Sequence, residues 1–461
     1  MAGPFLGINM ASQTLRSMQR ALDTTGHNIA NVNTVGYSRQ TVDFATLTPL
    51  DFYNRGWHAV GQGVGITGIN RIRDQYLDAS ARNASSNLNK YSTLATGLGR
   101  IDQVYGEPSE LGIANALDGF FDAWSSLASN PSDVASRSAV RNAGQVLADR
   151  VRSTYAQMSN ERTRTQTEIT STFTQIDALT NEIAQLNSDI KRYSVSGHQA
   201  NDLMDRRDLA VQKLSGLVNV SVERFEDGSY AVYAAGATVV DSAGSRSFAK
   251  TYDAATSTVS DGTLTYRVTG GALAGHLSAL NSMNNQMTGL DRLANNLRTE
   301  INALHTTGTN ALGQTGIYFF NGEDTMPQTG AIDFNLSVEV ATSAEAIAAG
   351  VTVNPGDAGL ALTLSKLRDV SIAGLSNQTF QGFFRGQVNV VANEAAYYDM
   401  ATQTERSIAT QIEQQQQGVM GVNIDDEMAN MMRFQRSYQA AAKAMTIFDQ
   451  VAEDLLAMVR R

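Results

Sequence analysis

Residues 63–68, Gly-Val-Gly-Ile-Thr-Gly, have the spacing of a dinucleotide-binding loop. That chemistry needs a strand before the loop, a helix opening at it, a returning parallel strand and a distal acid. Here the next acid is the nearby Asp74, and a long helical pattern follows with no strand after it. Turns before and within a strand account better for these glycines. Five histidines are scattered along the chain: His27, His58, His198, His276 and His305. None pairs with another at i,i+4 and none stands in an HExxH arrangement, so no metal ligands are assigned. His27 reads as a helix-face residue and His305 as a helix-end residue. Asp425, Asp426 and Glu427 cluster where the last helix begins. Acids there satisfy free amides and the helix dipole, a reading preferred to a cation site. There is no GxSxG, no P-loop and no local Ser/His/Asp arrangement. No catalytic residue and no cofactor is assigned, and the chain reads as a non-enzyme.

Composition narrows the classes further. The 461 residues suffice for two to four domains, with 42% hydrophobic residues to fill cores. Charged residues make up 17%, below the usual share of about a quarter. Net charge is −10, which opposes nonspecific nucleic-acid binding and attachment to acidic membranes. The absence of cysteine excludes disulfides, thiolate catalysis and cysteine-bound metal. No stretch has the length and apolarity of a transmembrane helix. Residues 1–30 lack an unbroken apolar core, being interrupted by Arg16 and Arg20, so no cleaved secretory signal is expected.

The elements that position these residues are mostly helical. Residues 7–31 form an amphipathic pattern in which Ile8, Leu15, Leu22 and Ile29 recur every seventh position, with Ala11, Met18 and Val32 on the matching stripe. Near the other end Ile424, Met431, Tyr438, Met445, Ala452 and Val459 repeat likewise, with Phe434, Ala441, Phe448 and Leu455 alongside. This is the spacing of a narrow coiled-coil seam. Five methionines (Met428, Met431, Met432, Met445 and Met458) lie in the last helix, as core filling or as a seam that meets several partners. Residues 37–70 are extended and turn-rich. Residues 71–192 are helical, with Pro108 and Pro131 as interruptions. Val218, Val220 and Val222 alternate with polar positions, and Asp227-Gly228 and Asp261-Gly262 signal hairpins. Residues 310–385 look irregular, with one strand at 334–340.

The run Asn28-Ile29-Ala30-Asn31-Val32-Asn33-Thr34, then Gly36-Tyr37, resembles the N-terminal signature of bacterial flagellar rod, hook and hook-associated proteins. The continuation Ser38-Arg39-Gln40 is similar to the hook-associated version, whereas rod and hook proteins usually carry a phenylalanine or tyrosine and then lysine there. Residues 201–208, Asn-Asp-Leu-Met-Asp-Arg-Arg-Asp, with 217–222, resemble the entry into a β domain. Residues 290–320 resemble a second helical stretch, and residues 421–430 with Gln435, Tyr438, Gln439 and Ala440 resemble a C-terminal signature. The chain is short enough to lack a large outer insertion found in some relatives.

The resemblance implies a mainly α fold with inserted β. Its terminal helices pair as a coiled coil, beside an elongated helical-bundle domain and a small outer β domain. An axial helix and signature loop at 1–45 pair with an axial helix at 415–461. A helical domain spans 46–200 with 275–310 and 387–414, a β domain 201–274, and an irregular or β segment 311–386. The implied function is structural: a homo-oligomeric junction ring joining hook to filament and buffering their mechanical mismatch. Implied partners are hook protein, a second junction protein and an export chaperone at the C-terminal helix. The implied location is extracellular, on the flagellum, after type III export without a cleaved signal. The rival readings are another rod- or hook-type axial protein, or a flagellum-associated peptidoglycan hydrolase, which needs paired carboxylates in a cleft. The seam residues above are the expected interface. Residues 1–35 and 420–461 are expected to order on assembly.

Overall fold

A computed structural model of the chain describes residues 4–53, 57–195, 199–322 and 329–459. The chain is mainly α with inserted antiparallel β and divides into two compact units, each built from separated stretches. The first comprises Met1–Asn87, Gln175–Phe248 and Glu405–Arg461, and the second Leu88–Thr174 and Ala249–Thr404.

In the first unit, α1 (Pro4–Ala30) leads through a turn to β1 (Gln40–Thr46). A hairpin of β2 (Leu50–Tyr53) and β3 (Trp57–Val60) follows, then β4 (Val64–Arg71). β1 and β4 pair antiparallel from Gln40↔Arg71 to Thr46↔Val64, with an irregularity at Asp43/Phe44. The glycine-rich motif is therefore a turn, where Gly63 takes φ +90°, followed by strand positions Gly65 and Gly68. No helix opens there, so the geometry for pyrophosphate is missing.

Prolines interrupt the helical stretch 71–192 as the sequence predicts. α2 (Gln75–Tyr105) stops before Pro108, α3 (Ile113–Ser129) stops before Pro131, and α4 (Val134–Val195) runs for 62 residues. α5 (Asn201–Leu217) enters the sheet β5 (Val220–Arg224), β6 (Tyr230–Ala234), β7 (Ala237–Asp241) and β8 (Gly244–Ser245), all in the first unit. The three-stranded sheet of β9 (Thr251–Asp253), β10 (Thr258–Ser260) and β11 (Thr265–Arg267) belongs to the second unit. The sequence groups all these strands in one 201–274 domain, yet their partners differ. Asp177 takes the Phe248 amide in the first unit, while the Tyr252 ring meets Phe173 in the second. Both hairpins sit where Asp-Gly places them, with Gly228 at φ +80° and Gly262 at φ +99°.

The second unit holds the main core. α6 (Gly271–His305) packs with α2, α3 and the start of α4 around Phe120, Trp124, Leu98 and Ile101, all fully buried. Phe319, Phe320 and Phe334 complete an aromatic cluster, with Phe320 and Phe334 rings 4.4 Å apart. The strand expected at 334–340 is not formed. Its alternation of Phe334, Leu336, Val338 and Val340 ends in the short helix α7 (Val338–Thr342). Ser337 caps that helix by accepting the Val340 amide at 3.3 Å, and Val338 stays 72% exposed. The segment pairs through an isolated bridge, Phe320↔Leu336, and the partner stretch at 319–320 is itself held by Asn302. Its Oδ1 accepts the Phe319 and Phe320 amides at 2.9 Å each, and its Nδ2 donates to the Phe320 carbonyl. α8 (Gly359–Lys366) and α9 (Phe380–Met420) follow, and α10 (Ile424–Val459) ends the described chain.

His305, the last residue of α6, is fully buried. Its Nδ1–H donates to the Ile317 carbonyl at 2.7 Å, and its Nε2 accepts the Ala348 amide at 3.0 Å. Those partners fix the neutral ring. Burial, with Arg137 nearby, pushes its pKa down from 6.5 to about 4. Unfolding therefore admits a proton that the native ring refuses. The stability it contributes is complete above pH 6.5 and is lost as pH falls toward 4, at about 1.4 kcal/mol per pH unit. Denaturant titrations across this range should show that slope, and His305→Gln should remove its share; an unchanged slope would refute the assignment.

Candidate functional site

The first unit gathers an unusual density of charge around the turn after α1. Asn28 is buried and makes four bonds: its Nδ2 donates to the Gln40 carbonyl and to Glu427 Oε2 at 2.9 and 3.1 Å. Its Oδ1 accepts from Tyr37 Oη and from the Gln40 amide, at 2.7 and 3.0 Å. An asparagine can supply two donors and two acceptor sites, and here all are used. Gly36 turns the chain at φ +83°, where a Cβ would press on Leu209 at 3.2 Å. Asn31 closes the helix end on the His27 carbonyl, and Thr34 donates to Asn31 Oδ1. Asn33 lies exposed.

Ser38 and Gln40 reach the start of α5, and Arg39 reaches α10. The Ser38 amide and hydroxyl both donate to Asp205, at 3.0 and 2.7 Å. Arg39 Nε donates to Glu427 Oε1 at 2.7 Å, and its amide donates to the Met420 carbonyl. Gln40 Nε2 donates to Asp202, while its Oε1 accepts from Asn201. Arg71 bridges Asp205 and Asp208 at 2.6 and 2.9 Å, and Arg73 bonds Asp78 and the Ser38 hydroxyl. Tyr230 donates to Asp208, and its ring is covered by the Arg207 guanidinium at 3.4 Å.

Electrostatics follow from burial and pairing. Burial pulls the Asp205 carboxyl up, opposed by Arg71 and the Ser38 donors. Burial also works on Asp208, but Arg73, Arg71 and Arg207 outweigh it and hold that carboxyl below its ordinary value. Burial opposes the Arg71 charge, yet Asp208 and Asp205 raise its pKa. We read the Asp205–Arg71 pair as ionised, because every hydrogen bond to Asp205 comes from a donor. The Tyr37 phenol is raised by burial and by the surrounding acids. Its polar side chains bond to one another, which makes the arrangement a fastening.

The sequence reads Glu427 as an amide-satisfying acid at a helix start. The structure gives it another role: it is 2% exposed and spends its carboxylate on Arg39 and Asn28. Asn423 instead accepts the Asp425 amide. Asp205, Asp208, Arg71 and Arg73 are absent from the sequence-based site. The signal for the acids is their spacing, Asp202, Asp205 and Asp208, which places three on one helix face.

The seam residues lie on two antiparallel helices. Gly7 faces Phe448, and Asn28 meets Glu427. Ile8, Leu15, Met18, Leu22, Ile29, Met431, Phe434 and Met445 are half-buried, and Ile424, Tyr438, Phe448 and Leu455 are exposed. The fully buried positions of α1 are Ala11, which lies on the expected second stripe, with Ser17, Ala21, Thr24, Thr25 and Asn28; on α10 Ala441 and Ala452 of the expected stripes are buried too. Small side chains let a neighbour approach closely, and Thr24 and Thr25 satisfy their hydroxyls on carbonyls four residues back. His27 stands in the last turn of α1 with Nε2 3.3 Å from Asp202. His276 lies 3.4 Å from Glu168 in the second unit. His198 and the side chain of His58 lie outside the described residues.

Asp205→Ala should strand Arg71 and the Ser38 hydroxyl, costing about 3–5 kcal/mol, whereas Asp205→Asn should cost less. Equilibrium unfolding followed in the first unit checks this; equal stability of both variants and the parent would count against a buried charge cluster.

Three family models match the chain. Residues 98–320 match the flagellar hook-associated protein FlgK helical domain. Residues 415–458 match the flagellar basal body rod FlgEFG protein C-terminal model, and residues 8–37 the flagella basal body rod protein model. Flagellar hook-associated protein 1 of Bacillus subtilis is 26% identical over 505 aligned residues, covering 99% of this chain and 98% of the relative. The same-named protein of Salmonella typhimurium is 24% identical, covering 97% and 99%. The flagellar hook junction protein FlgK of Burkholderia pseudomallei shares the fold, with a TM-score of 0.63 at 19% identity over 75% of this chain and all of that one. The terminal matches enclose the residues that the Asn28–Glu427 fastening joins, and with full-length relatives they place this chain in the family of flagellar hook-associated protein 1.

Proposed function

We propose that this chain is a structural subunit of the bacterial flagellum that joins hook to filament as a ring of identical copies. The observation that carries the reading is the exposure of α10. Ile447 is 59% exposed, Leu456 61% and Met458 74%, on a helix whose partner α1 ends its described course near Phe448. Side chains of this size contribute about 1.5–3 kcal/mol each when fully buried. A single chain leaves that energy unused, and neighbouring copies around a common axis would collect it. The seam residues Ile8, Leu15, Met18, Leu22, Ile29, Ile424, Met431, Phe434, Tyr438, Met445, Phe448 and Leu455 form this interface in part within and in part between copies.

The same exposed face suits a chaperone that shields it before assembly, and hook protein and a second junction protein are the proposed neighbours above and below. Export through the flagellar type III route belongs to the same reading. The role is mechanical, and no reaction is assigned to the chain.

Leu22→Asp or Met445→Asp should abolish incorporation into flagella and motility, while circular dichroism still reports the folded second unit. Normal motility would contradict the proposal. Hydrogen exchange should show weak protection of residues 1–35 and 420–461 in the monomer and strong protection in isolated junctions; equal protection in both states would count against burial between copies.

A further inference from the structure

The two terminal helices carry like charges that their own chain does not neutralise. Arg16 and Arg20 stand four apart on the outer face of α1, and Asp449 and Glu453 stand four apart on α10. All four are exposed, and among the described residues none forms an ion pair. Asp23, one turn beyond Arg20, makes no pair with it either. Like charges at this spacing repel one another. The acids are also misplaced for their helix: they lie toward its C-terminal, negative end, and the last turn of α10 contains no base.

The antiparallel pairing keeps the two sets apart. Each step forward along α1 is a step back along α10, so Arg16 and Arg20 lie level with Gln439 and Gln435. Asp449 is fourteen residues beyond Gln435, or about 21 Å along the axis. No side-chain motion closes that gap within one chain.

We infer that Arg16 and Arg20 of one copy pair with Glu453 and Asp449 of a second copy, and that this charge ladder fixes the stagger between neighbours. The inference rests on the proposed assembly of copies around an axis. Copies pointing the same way present α1 of one antiparallel to α10 of the next, so Arg16 meets Glu453 while Arg20 meets Asp449. Both sets have the same four-residue spacing, so the two ion pairs form in one register, with the copies offset by about 20 Å along the helix pair. The contact is head-to-tail, the kind that closes a ring or climbs a helix. Rim charges of this sort select register and partner more than they add affinity.

The cysteine-free chain makes the test direct. A chain carrying Arg20→Cys and Asp449→Cys is expressed as the sole copy, and flagella are isolated and mildly oxidised. A ladder of linked multimers supports the inference, because Cα atoms more than about 7 Å apart do not bridge and one chain cannot link to itself. Chain present on flagella without a ladder, while Arg20→Cys mixed with Asp449→Cys also fails to dimerise, overturns the inference and leaves the junction reading intact. Absence of the parent chain from flagella overturns the junction reading itself. If the double-cysteine chain is not incorporated, charge reversal decides. Arg16→Glu with Arg20→Glu, and separately Asp449→Lys with Glu453→Lys, should each cut incorporation about tenfold. Co-expression of the two, or all four changes in one chain, should restore it, and failure of both rescues overturns the inference.

Discussion

Charge taken out of water must be matched, and that constraint organises the first unit. Asp205 is buried beside Arg71, within reach of Arg73 and both donors of Ser38. Each of these groups is costly alone and tolerable only in company. The segments that carry them, 38–40, 71–78, 201–208 and the start of α10, must therefore arrive together or not at all. Such a cluster adds little net stability compared with an apolar core of equal size. What it does supply is register, because Ser38, Arg71 and Arg73 all meet the Asp205–Asp208 stretch of α5.

The two units answer the problem of cohesion differently. The second encloses a dense aromatic cluster and buries His305 as a hydrogen-bonded, neutral ring. The first spends small residues on its inner helix face and leaves large ones partly in water. A core of alanine, serine and threonine permits close approach but releases little hydrophobic energy. The polar fastening compensates by specifying position, and the apolar remainder of α10 is left for other chains.

Much of this architecture is legible in the sequence. Heptad spacing marks α1 and α10, prolines mark the ends of α2 and α3, and Asp-Gly pairs mark the hairpins. Legibility fails where a local rule is outweighed by a distant partner. Alternation at 334–340 predicts a strand, but Ser337 caps a helix there and the pairing with Phe320 stays an isolated bridge. Acids at 425–427 suit a helix start, but Glu427 belongs to Arg39, nearly 400 residues away. On α1 large apolar residues dominate the pattern, whereas the fully buried positions are small or polar, and Asn28 among them bonds Tyr37, Gln40 and the distant Glu427. No window of local sequence contains Glu427 beside Asn28.

The fastening between Asn28 and Glu427 also sets an order of events. Loop closure over such a span is slow, and contacts of this range form late in folding. The first unit draws on the opening, the middle and the close of the polypeptide, so a chain delivered from its amino end would hold that unit open until α10 emerged. The second unit, whose pieces all lie between residues 88 and 404, needs nothing from either extremity and is free to consolidate first. Maturation of this protein is thereby timed by its own connectivity, with the adhesive part finished last.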